Sequence, residues 1–229
     1  MRSFVIEVWG DLACFTRPEA KVERLSYPVI TPSAARGIFD AIYSKPIEFT
    51  WRIDKIEVLK PIQFIALRRN EVKDKISDTA VKQAMKGKEM MPIVADGTID
   101  LVGSDQKGRT QRQTIALKDV RYRIHAHIVP RSGFQDKLKG IEEQAWRRIQ
   151  SGKCFYQPYF GCREFVAYFE PSENQIAPFQ KDMEIGWMLY DVFALDKLDT
   201  KPYVSIFWAE LNQGVLEVPA WESDEVKKP

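Results

Sequence analysis

Two arginines and both histidines of the chain alternate with apolar residues along one short stretch, DVRYRIHAHI, which spans residues 119–128. Histidine can give or take a proton near neutral pH, and arginine binds phosphate oxygens through its fork of donors. Arg121, Arg123, His125 and His127 are therefore the residues whose types are best suited to act at a phosphate group.

This stretch alternates with a period of two residues. The period predicts a half-buried β-strand, because neighbouring side chains of a strand point to opposite faces. One face is apolar and carries Val120, Tyr122, Ile124, Ala126 and Ile128. The other face carries the arginines and histidines, and we expect it to lie on an open sheet surface. An ordinary solvated strand face is the alternative interpretation.

The formal net charge of +2 conceals an uneven distribution along the chain. Residues 170–229 hold twelve Asp and Glu against five Lys and Arg, whereas residues 1–169 carry a net charge of +9. Between Lys107 and Arg131, seven basic residues accompany a single acid, Asp119. Such a density is typical of a surface that contacts phosphates.

Composition excludes several classes of protein. Hydrophobic residues make up 45% of the chain, which is enough for a substantial core. The apolar runs are far shorter than the ~20 residues of a membrane span, and the N-terminus lacks the layout of a signal peptide, so we expect a cytoplasmic protein without a membrane partner. The three cysteines form no C-x-x-C pair, and no cluster of acids and histidines has ligand spacing, so neither a disulfide framework nor a metal cofactor is predicted.

Local signals predict alternating strands and helices. A first strand spans Ser3–Trp9 and stops at Gly10, and a first helix begins at Thr31 with Pro32 in its first turn and ends before Pro46. TWRIDKIEVLKP predicts the next strand, and the histidine stretch predicts the one after it. DKLKGIEEQAWRRIQSGK predicts a second helix that ends at Gly152, and REFVAYFE predicts a fourth strand.

The resulting order is strand, helix, strand, strand, helix, strand, which is the α+β order of the ferredoxin-like fold, also found in RNA-recognition (RRM-like) domains. We expect this domain to span residues 1–169, with a long insertion at about 61–117. The segments EIGWMLYDVF, YVSIFWAEL and GVLEVP predict a small antiparallel β-meander, so residues 170–229 form a β-rich C-terminal part.

Several sequence blocks between Val8 and about Phe169 carry a family resemblance. They are VWGDLACFTRPEAKVERLSYPVITPSAARGIFDAIYSKP, KPIQF, RRNEV, LKDVRYRIHAH and FGCREF. Through these blocks the chain resembles the CRISPR-associated Cas-five family of subtype I-C (Dvulg), a branch of the RAMP superfamily. The last sixty residues match in layout rather than in motif.

The resemblance implies a sequence-specific endoribonuclease that cuts CRISPR precursor RNA within each repeat without a metal ion. The ribose 2′-OH attacks the adjacent phosphate and leaves a 2′,3′-cyclic phosphate and a 5′-OH. The resemblance also implies that the protein then holds the 5′ handle of the guide RNA (crRNA) beside the backbone and large subunits of the type I-C interference complex. Double-stranded DNA is a further candidate partner. The implied fold matches the one predicted from the element order.

This reaction needs a group that aligns or deprotonates the 2′-OH, a cation for the charge that develops at phosphorus, and an acid for the leaving oxygen. The resemblance assigns catalytic roles to Tyr43, in a YSKP motif, and to His127, at the end of the strand that closes with AH. His125 and Lys118 on the same strand are further candidates, Lys118 as the cation.

Each assignment has an alternative. Tyr43 lies four residues after Phe39 and could extend an aromatic packing ridge, and His125 could be an ordinary surface histidine. Ser44 replaces the aromatic residue usual in the tyrosine motif, which puts stacking on an RNA base in doubt.

Other basic residues are candidates for contacts to the RNA backbone: Arg17, Lys21, Arg24, Arg36, Lys45, Arg68, Arg69, Arg121 and Arg123. Phe15 and Tyr27 are candidates for stacking on bases. Ordinary packing is the alternative for most of them. For Lys45 the alternative is a favourable interaction with the helix macrodipole, and for Arg121 and Arg123 it is a solvated strand face. Two other functions stay open: a non-catalytic subunit that binds the crRNA handle, and a general nucleic-acid-binding protein that acts on DNA.

Overall fold

The computed structural model describes residues 2–20, 22–72, 75–90, 109–173, 175–198 and 201–229. The strands in these ranges are β1 Ser3–Ala13, β2 Arg24–Leu25, β3 Phe49–Val58, β4 Phe64–Val72, β5 Arg109–Pro130, β6 Tyr168–Pro171, β7 Met183–Asp191, β8 Ser205–Leu211 and β9 Val215–Glu217. The helices are α1 Pro32–Ile42, α2 Asp78–Met85 and α3 Leu138–Gln150. None of the helices in the described ranges is long and apolar enough to cross a membrane.

The chain divides into two compact units. Residues 1–65 and 115–229 form the first unit, and residues 66–114 form the second. Within the second unit lies α2, which the sequence analysis did not predict and which begins at the N-cap Ser77. An ion pair of 3.0 Å joins Arg112 to Glu71 in this unit. The predicted division of the chain at residue 169 stays a prediction.

A largely antiparallel sheet organises the first unit. Its strands lie in the order β6-β1-β5-β3-β9, and each neighbouring pair in this series is antiparallel. Helices α1 and α3 cover one face, where the Trp51 ring lies 5.1 Å from that of Phe4 and 4.7 Å from that of Phe39. The main aromatic core therefore lies between this face and the helices.

Local signals predicted α1 correctly. The Thr31 hydroxyl accepts a hydrogen bond from the Ala34 amide at 3.2 Å, and Pro32 occupies the first turn. The predicted end of β1 at Gly10 was wrong, because the strand continues to Ala13. Gly10 instead makes room for the Phe160 ring and the Val166 carbonyl, which lie where a Cβ would be.

The C-terminal strands divide between two sheets. β7 and β8 pair with each other as an antiparallel sheet, with Trp187 opposite Trp208. The predicted third strand of this meander, β9, instead pairs with β3, so the prediction of a three-stranded meander was wrong. Backbone hydrogen bonds from Val58 to Gly214 and from Val218 to Asp54 fasten this segment to β3.

Candidate active site

The face of the sheet opposite α1 and α3, which we call the polar face, is lined by charged residues of β1, β3 and β5. It carries Glu7, Arg52, Lys55, Glu57, Arg121, Arg123, His125 and His127. The antiparallel register places Arg123 between Glu7 on one side and Glu57 on the other. The alternation in β5 was therefore predicted correctly, and the register decides which charges meet.

Arg123 is buried, with 3% of its surface exposed. Its guanidinium donates to Glu57 at 2.6 Å, to Glu7 at 2.9 Å and to the Ser172 hydroxyl at 2.8 Å. The Ile176 carbonyl accepts a fourth hydrogen bond at 2.8 Å, so the chain after β6 covers this side chain. The expectation of an open cationic surface was wrong at Arg123, because two carboxylates neutralise the charge and the following segment excludes water.

Arg121 is half-buried and also pairs with acids. Two of its nitrogens donate to Glu7 at 2.9 and 2.6 Å, and one reaches Glu170 at 3.2 Å. Burial raises the pKa of Glu7, but hydrogen bonds from Arg121, Arg123 and Ser172 outweigh it, and the net pKa lies below its ordinary value. The buried Arg123 therefore stabilises the fold instead of lying open to RNA, which corrects the prediction for it, whereas an RNA contact by the partly exposed Arg121 stays a prediction.

His125 pairs with the same network. Its Nε2 lies 2.9 Å from Glu57 Oε1, and its side chain is 18% exposed. Burial and the nearby Lys55 lower the pKa of His125, while Glu57 opposes the change. The neutral imidazole is thus favoured relative to a histidine in water.

His127 has a different partner, Asp54. The distance from His127 Nδ1 to Asp54 Oδ1 is 2.7 Å, and 26% of the histidine side chain is exposed. Asp54 lies at an irregularity in β3, where Ile53 pairs with Ala126 and Lys55 with His125, so that Asp54 has no residue opposite it. A β-bulge of this kind redirects a side chain locally. The carboxylate orients the ring and leaves Nε2 as the nitrogen that can exchange a proton with a substrate.

The predicted catalytic set does not converge on one point. Tyr43 is 5% exposed, and its ring packs 5.4 Å from that of Phe49, on the helix side of the sheet. Lys118 is exposed but precedes His127 by nine residues of strand, a separation of roughly 30 Å. Lys118 cannot neutralise a phosphate that lies at His127, which corrects its assignment as the cation. The structure brings together only His125 and His127.

The predicted contact of Arg36 with the RNA backbone is also corrected by the structure. Its Nε donates to Asp191 Oδ2 at 2.7 Å and its Nη1 to Asp40 Oδ2 at 2.5 Å, and Asp191 is 1% exposed. A guanidinium held by two carboxylates has little charge left for an RNA phosphate. Its contacts instead join α1 to β7.

The candidates near the N-terminus, Arg17 and Arg24, have partners within the protein. Arg17 stacks over the Tyr27 ring at 4.5 Å and lies 3.8 Å from Glu19, and Arg24 donates to the Cys162 sulfur at 3.2 Å. Tyr27 and Phe15 are 2% and 3% exposed, so the expectation that they stack on bases was wrong.

The remaining candidate cations differ in exposure. Lys45 is exposed and donates a hydrogen bond of 2.9 Å to Glu48. This hydrogen bond raises the pKa of Lys45. In β4, Arg68 is exposed and Arg69 is half-buried. Lys21 lies outside the described residues. RNA contacts by these residues and by Arg17 and Arg24 stay predictions.

Among the residues at the polar face that the sequence analysis missed are Arg52 and Asp54. Both belong to the segment TWRIDKIEV, in which they lie two positions apart, and this spacing would have placed them together on one strand face. Within the described ranges, no group of three or more His, Cys, Asp or Glu side chains is arranged to hold a metal ion.

Fold and site together define a mixed α/β protein with a mostly antiparallel sheet, whose two histidines pair with carboxylates on the face free of helices. Residues 3–219 match the model of the Cas5d family, described as CRISPR-associated protein (Cas_Cas5). The chain belongs to this family of CRISPR-associated proteins, which confirms the resemblance seen in its sequence.

Two curated relatives carry the same descriptive name, CRISPR pre-crRNA endoribonuclease Cas5d. The protein of Mannheimia succiniciproducens is 43% identical over 97% of this chain and 97% of its own. That of Thermus thermophilus is 34% identical over 99% of this chain and 95% of its own.

Solved structures share the fold at lower sequence identity. A crystal structure described as a CRISPR-associated protein aligns with a TM-score of 0.64 at 21% identity over 99% of this chain and 97% of its own. A functionally uncharacterized protein from Streptococcus mutans aligns with a TM-score of 0.62 at 21% identity, with the same coverage. These similarities support the fold alone.

Proposed function

We propose that this chain is a metal-independent endoribonuclease that cuts CRISPR precursor RNA within its repeats. The names of the two curated relatives support this activity. The observation that carries it is the pair formed by His127 and Asp54, in which a carboxylate 2.7 Å from Nδ1 orients a half-exposed imidazole. After cleavage the protein holds the crRNA 5′ handle within a type I-C interference complex in the cytoplasm.

The proposed reaction begins with alignment of the ribose 2′-OH beside His127. Its Nε2 accepts the proton as the oxygen attacks phosphorus, or donates a proton to the leaving 5′ oxygen. Asp54 favours the productive orientation and stabilises the imidazolium that forms. The products are a 2′,3′-cyclic phosphate and a 5′-OH.

The strand order supports a ferredoxin-like frame for this site. The four strands of the predicted series are β1, β3, β5 and β6. Across the sheet they lie in the order β6-β1-β5-β3, which is fourth, first, third, second, and helices α1 and α3 lie on one face. We propose that residues 1–169, apart from the insertion at about 61–117, form this domain. The sheet then presents its helix-free face to RNA, as in RNA-recognition domains.

One assay tests the function directly. The purified protein is incubated in EDTA with RNA of the repeat from its own CRISPR locus, and the ends of the products are identified. We expect cleavage at one position, with a cyclic phosphate on one product and a 5′-OH on the other. Cleavage that disappears in EDTA and returns with magnesium or manganese would contradict the mechanism.

A second candidate function is a non-catalytic subunit that binds the crRNA handle. The observation that favours it is the separation of Tyr43, Lys118 and His127 in the fold. Tight binding of the repeat RNA without any cleavage would establish this function instead. Equal affinity for a DNA duplex would favour the general nucleic-acid-binding protein.

A further inference from the structure

Arg52 lies beside the proposed catalytic histidine and is almost completely buried. It is the residue opposite His127 in the pairing of β3 with β5, so the two side chains share the polar face. Only 7% of Arg52 is exposed, and its guanidinium lies 5.7 Å from the centre of the Trp221 ring. A permanent positive charge is thus held next to the imidazole.

The hydrogen bonds of this guanidinium are incomplete. Arg52 Nη2 donates to Glu222 Oε1 at 3.2 Å, but Nη1 is buried and has no hydrogen-bond partner among the described residues. A buried donor of a charged group that has no hydrogen-bond partner is destabilising, because its lost hydration is not replaced. Burial also lowers the pKa of Arg52, although the nearby Glu222, Tyr190 and Asp196 oppose the change.

Glu222 is a weakly held partner. Its side chain is 73% exposed, so the single ion pair with Arg52 contributes little to stability. An incoming anion with two oxygens could displace this carboxylate and bind the guanidinium through two parallel hydrogen bonds.

A cleft opens at this position on the polar face. It has a volume of about 570 Å³ and is lined by Arg52, Arg131 and Glu222 together with apolar residues that include Val129, Phe134 and Leu198. Val129 lies two residues after His127 on the same strand face. The cleft therefore combines two arginines and an apolar wall with two acids, Glu222 and Asp196, and its Arg52 is the residue opposite His127 on the neighbouring strand. Arginine beside an apolar wall suits a phosphate and its neighbouring base.

We propose that the cleft binds one phosphodiester of the RNA strand next to the cleavage position, and that Arg52 is the residue that clamps it. The phosphate takes the place of the Glu222 carboxylate on the guanidinium, and the adjoining base lies against the apolar wall. This inference rests on the proposed function for the identity of the ligand. Arg52 thereby contributes a cation for RNA binding on the polar face, where Arg121 and Arg123 are paired with acids.

The test is a double-mutant cycle between Arg52 and single phosphates. The RNA is the repeat with a 2′-deoxy substitution at the cleavage site, so that it binds without being cut, and its phosphates are replaced one at a time by neutral methylphosphonates. In the parental protein we expect the replacement at one phosphate position to weaken binding by about tenfold. A loss of this size is typical of a hydrogen bond to a charged group. In Arg52→Gln the same replacement should have no further effect, and the salt slope should fall by about 0.7.

Three matched variants complete the experiment. Glu222→Gln removes the competing acid and should strengthen binding, and Arg147→Gln, at an exposed arginine on α3, should leave the coupled position unchanged. If thermal unfolding shows that Arg52→Gln is not folded, Arg52→Lys retains the charge without the fork and should lose most of the coupling.

The outcomes separate this inference from the proposed function. If no phosphate position couples to Arg52 while the parental protein cuts unmodified repeat RNA, the inference is wrong and the function stands. If one position couples but unmodified RNA is never cut, Arg52 binds a phosphate as inferred, the proposed function is wrong and the protein is a handle-binding subunit.

Discussion

The His127 ring is oriented by Asp54, whose Oδ1 lies 2.7 Å from Nδ1 across two antiparallel strands. The contact depends on the irregularity of β3 between Ile53 and Lys55, because this is where Asp54 leaves the regular ladder. The other histidine, His125, instead pairs with a carboxylate that Arg123 already engages. Two histidines only two residues apart thus occupy different electrostatic environments, which leads to separate predictions for each.

Replacement of His127 should abolish most of the chemistry. If its Nε2 exchanges a proton in the transition state, His127→Ala should lose roughly 10²–10⁴-fold in the single-turnover rate of repeat cleavage. RNA affinity should change little, since one imidazole adds little to the attraction of phosphates. Rates measured at saturating protein separate chemistry from product release.

The matched control for this variant is His125→Ala. It should reduce the cleavage rate less, because the family motif singles out the later histidine and because Glu57 already engages Nε2 of His125. A variant of His127 that cuts at the parental rate would remove it from the mechanism, and a more severe effect at His125 would exchange the two roles.

Asp54 should act as a positioning residue. Asp54→Asn removes the charge that orients the ring, and we expect the single-turnover rate to fall by about tenfold or more. The free energy of unfolding should hardly change, because 43% of the Asp54 side chain is exposed. Asp54→Glu should recover part of the rate. An unchanged rate in Asp54→Asn would show that the pair has no catalytic role.

Replacement of Arg123 should lower the free energy of unfolding and should not weaken RNA binding. Arg123→Gln leaves Glu7 and Glu57 without their buried cation, and breaking such a network costs about 3–5 kcal/mol. Urea denaturation measures the change in the free energy of unfolding. Arg121→Gln, at a partly exposed residue, should lower the free energy of unfolding by a smaller amount. A stable Arg123→Gln protein with a flatter salt dependence of RNA binding would restore the role first predicted for this residue.

Stability should fall on acidification in two stages. Burial and Lys55 lower the pKa of His125 in the folded protein, so the unfolded chain takes up the proton first and stability decreases as the pH falls below about 6.5. Burial raises the pKa values of Glu7 and Glu57, but their arginine and lysine contacts lower them on balance, so a second loss follows below about pH 4.5.

Urea midpoints measured from about pH 8 to about pH 2.5 cover both stages. His125→Gln should flatten the upper stage and retain the lower one. A parental midpoint that stays constant from pH 7.5 to pH 5 would contradict the account of His125.

Gly161 should tolerate no side chain. Its φ angle is +77°, and a Cβ would overlap the Cys14 carbonyl. The left-handed conformation alone costs an L-residue about 1–2 kcal/mol, so Gly161→Ala should lower the free energy of unfolding by more than this. Gly140→Ala is the control, because nothing lies within 4 Å of the position of its Cβ. Equal stability of the two variants would show that the turn can relax.

The sequence determined features that depend on neighbours along the chain. Thr31 and Pro32 begin α1 through a hydrogen bond that spans three residues, and the alternation in β5 separates its apolar face from its charged face. The motif blocks also identified the family correctly. The helix start and the two strand faces follow from local geometry, in which a fixed spacing determines which side chains share a face, whereas the family follows from the resemblance of the blocks themselves.

Only the tertiary structure decided which charges are free. Arg123 and His127 alternate on one strand, yet Arg123 is buried between Glu7 and Glu57, residues 116 and 66 positions away, whereas His127 meets Asp54 at a bulge. Strand order and register set these pairs, and a period of two residues carries no information about either. Coulomb attraction and burial act through space, so whether a cation stabilises the core or remains available to RNA depends on contacts that no local spacing specifies.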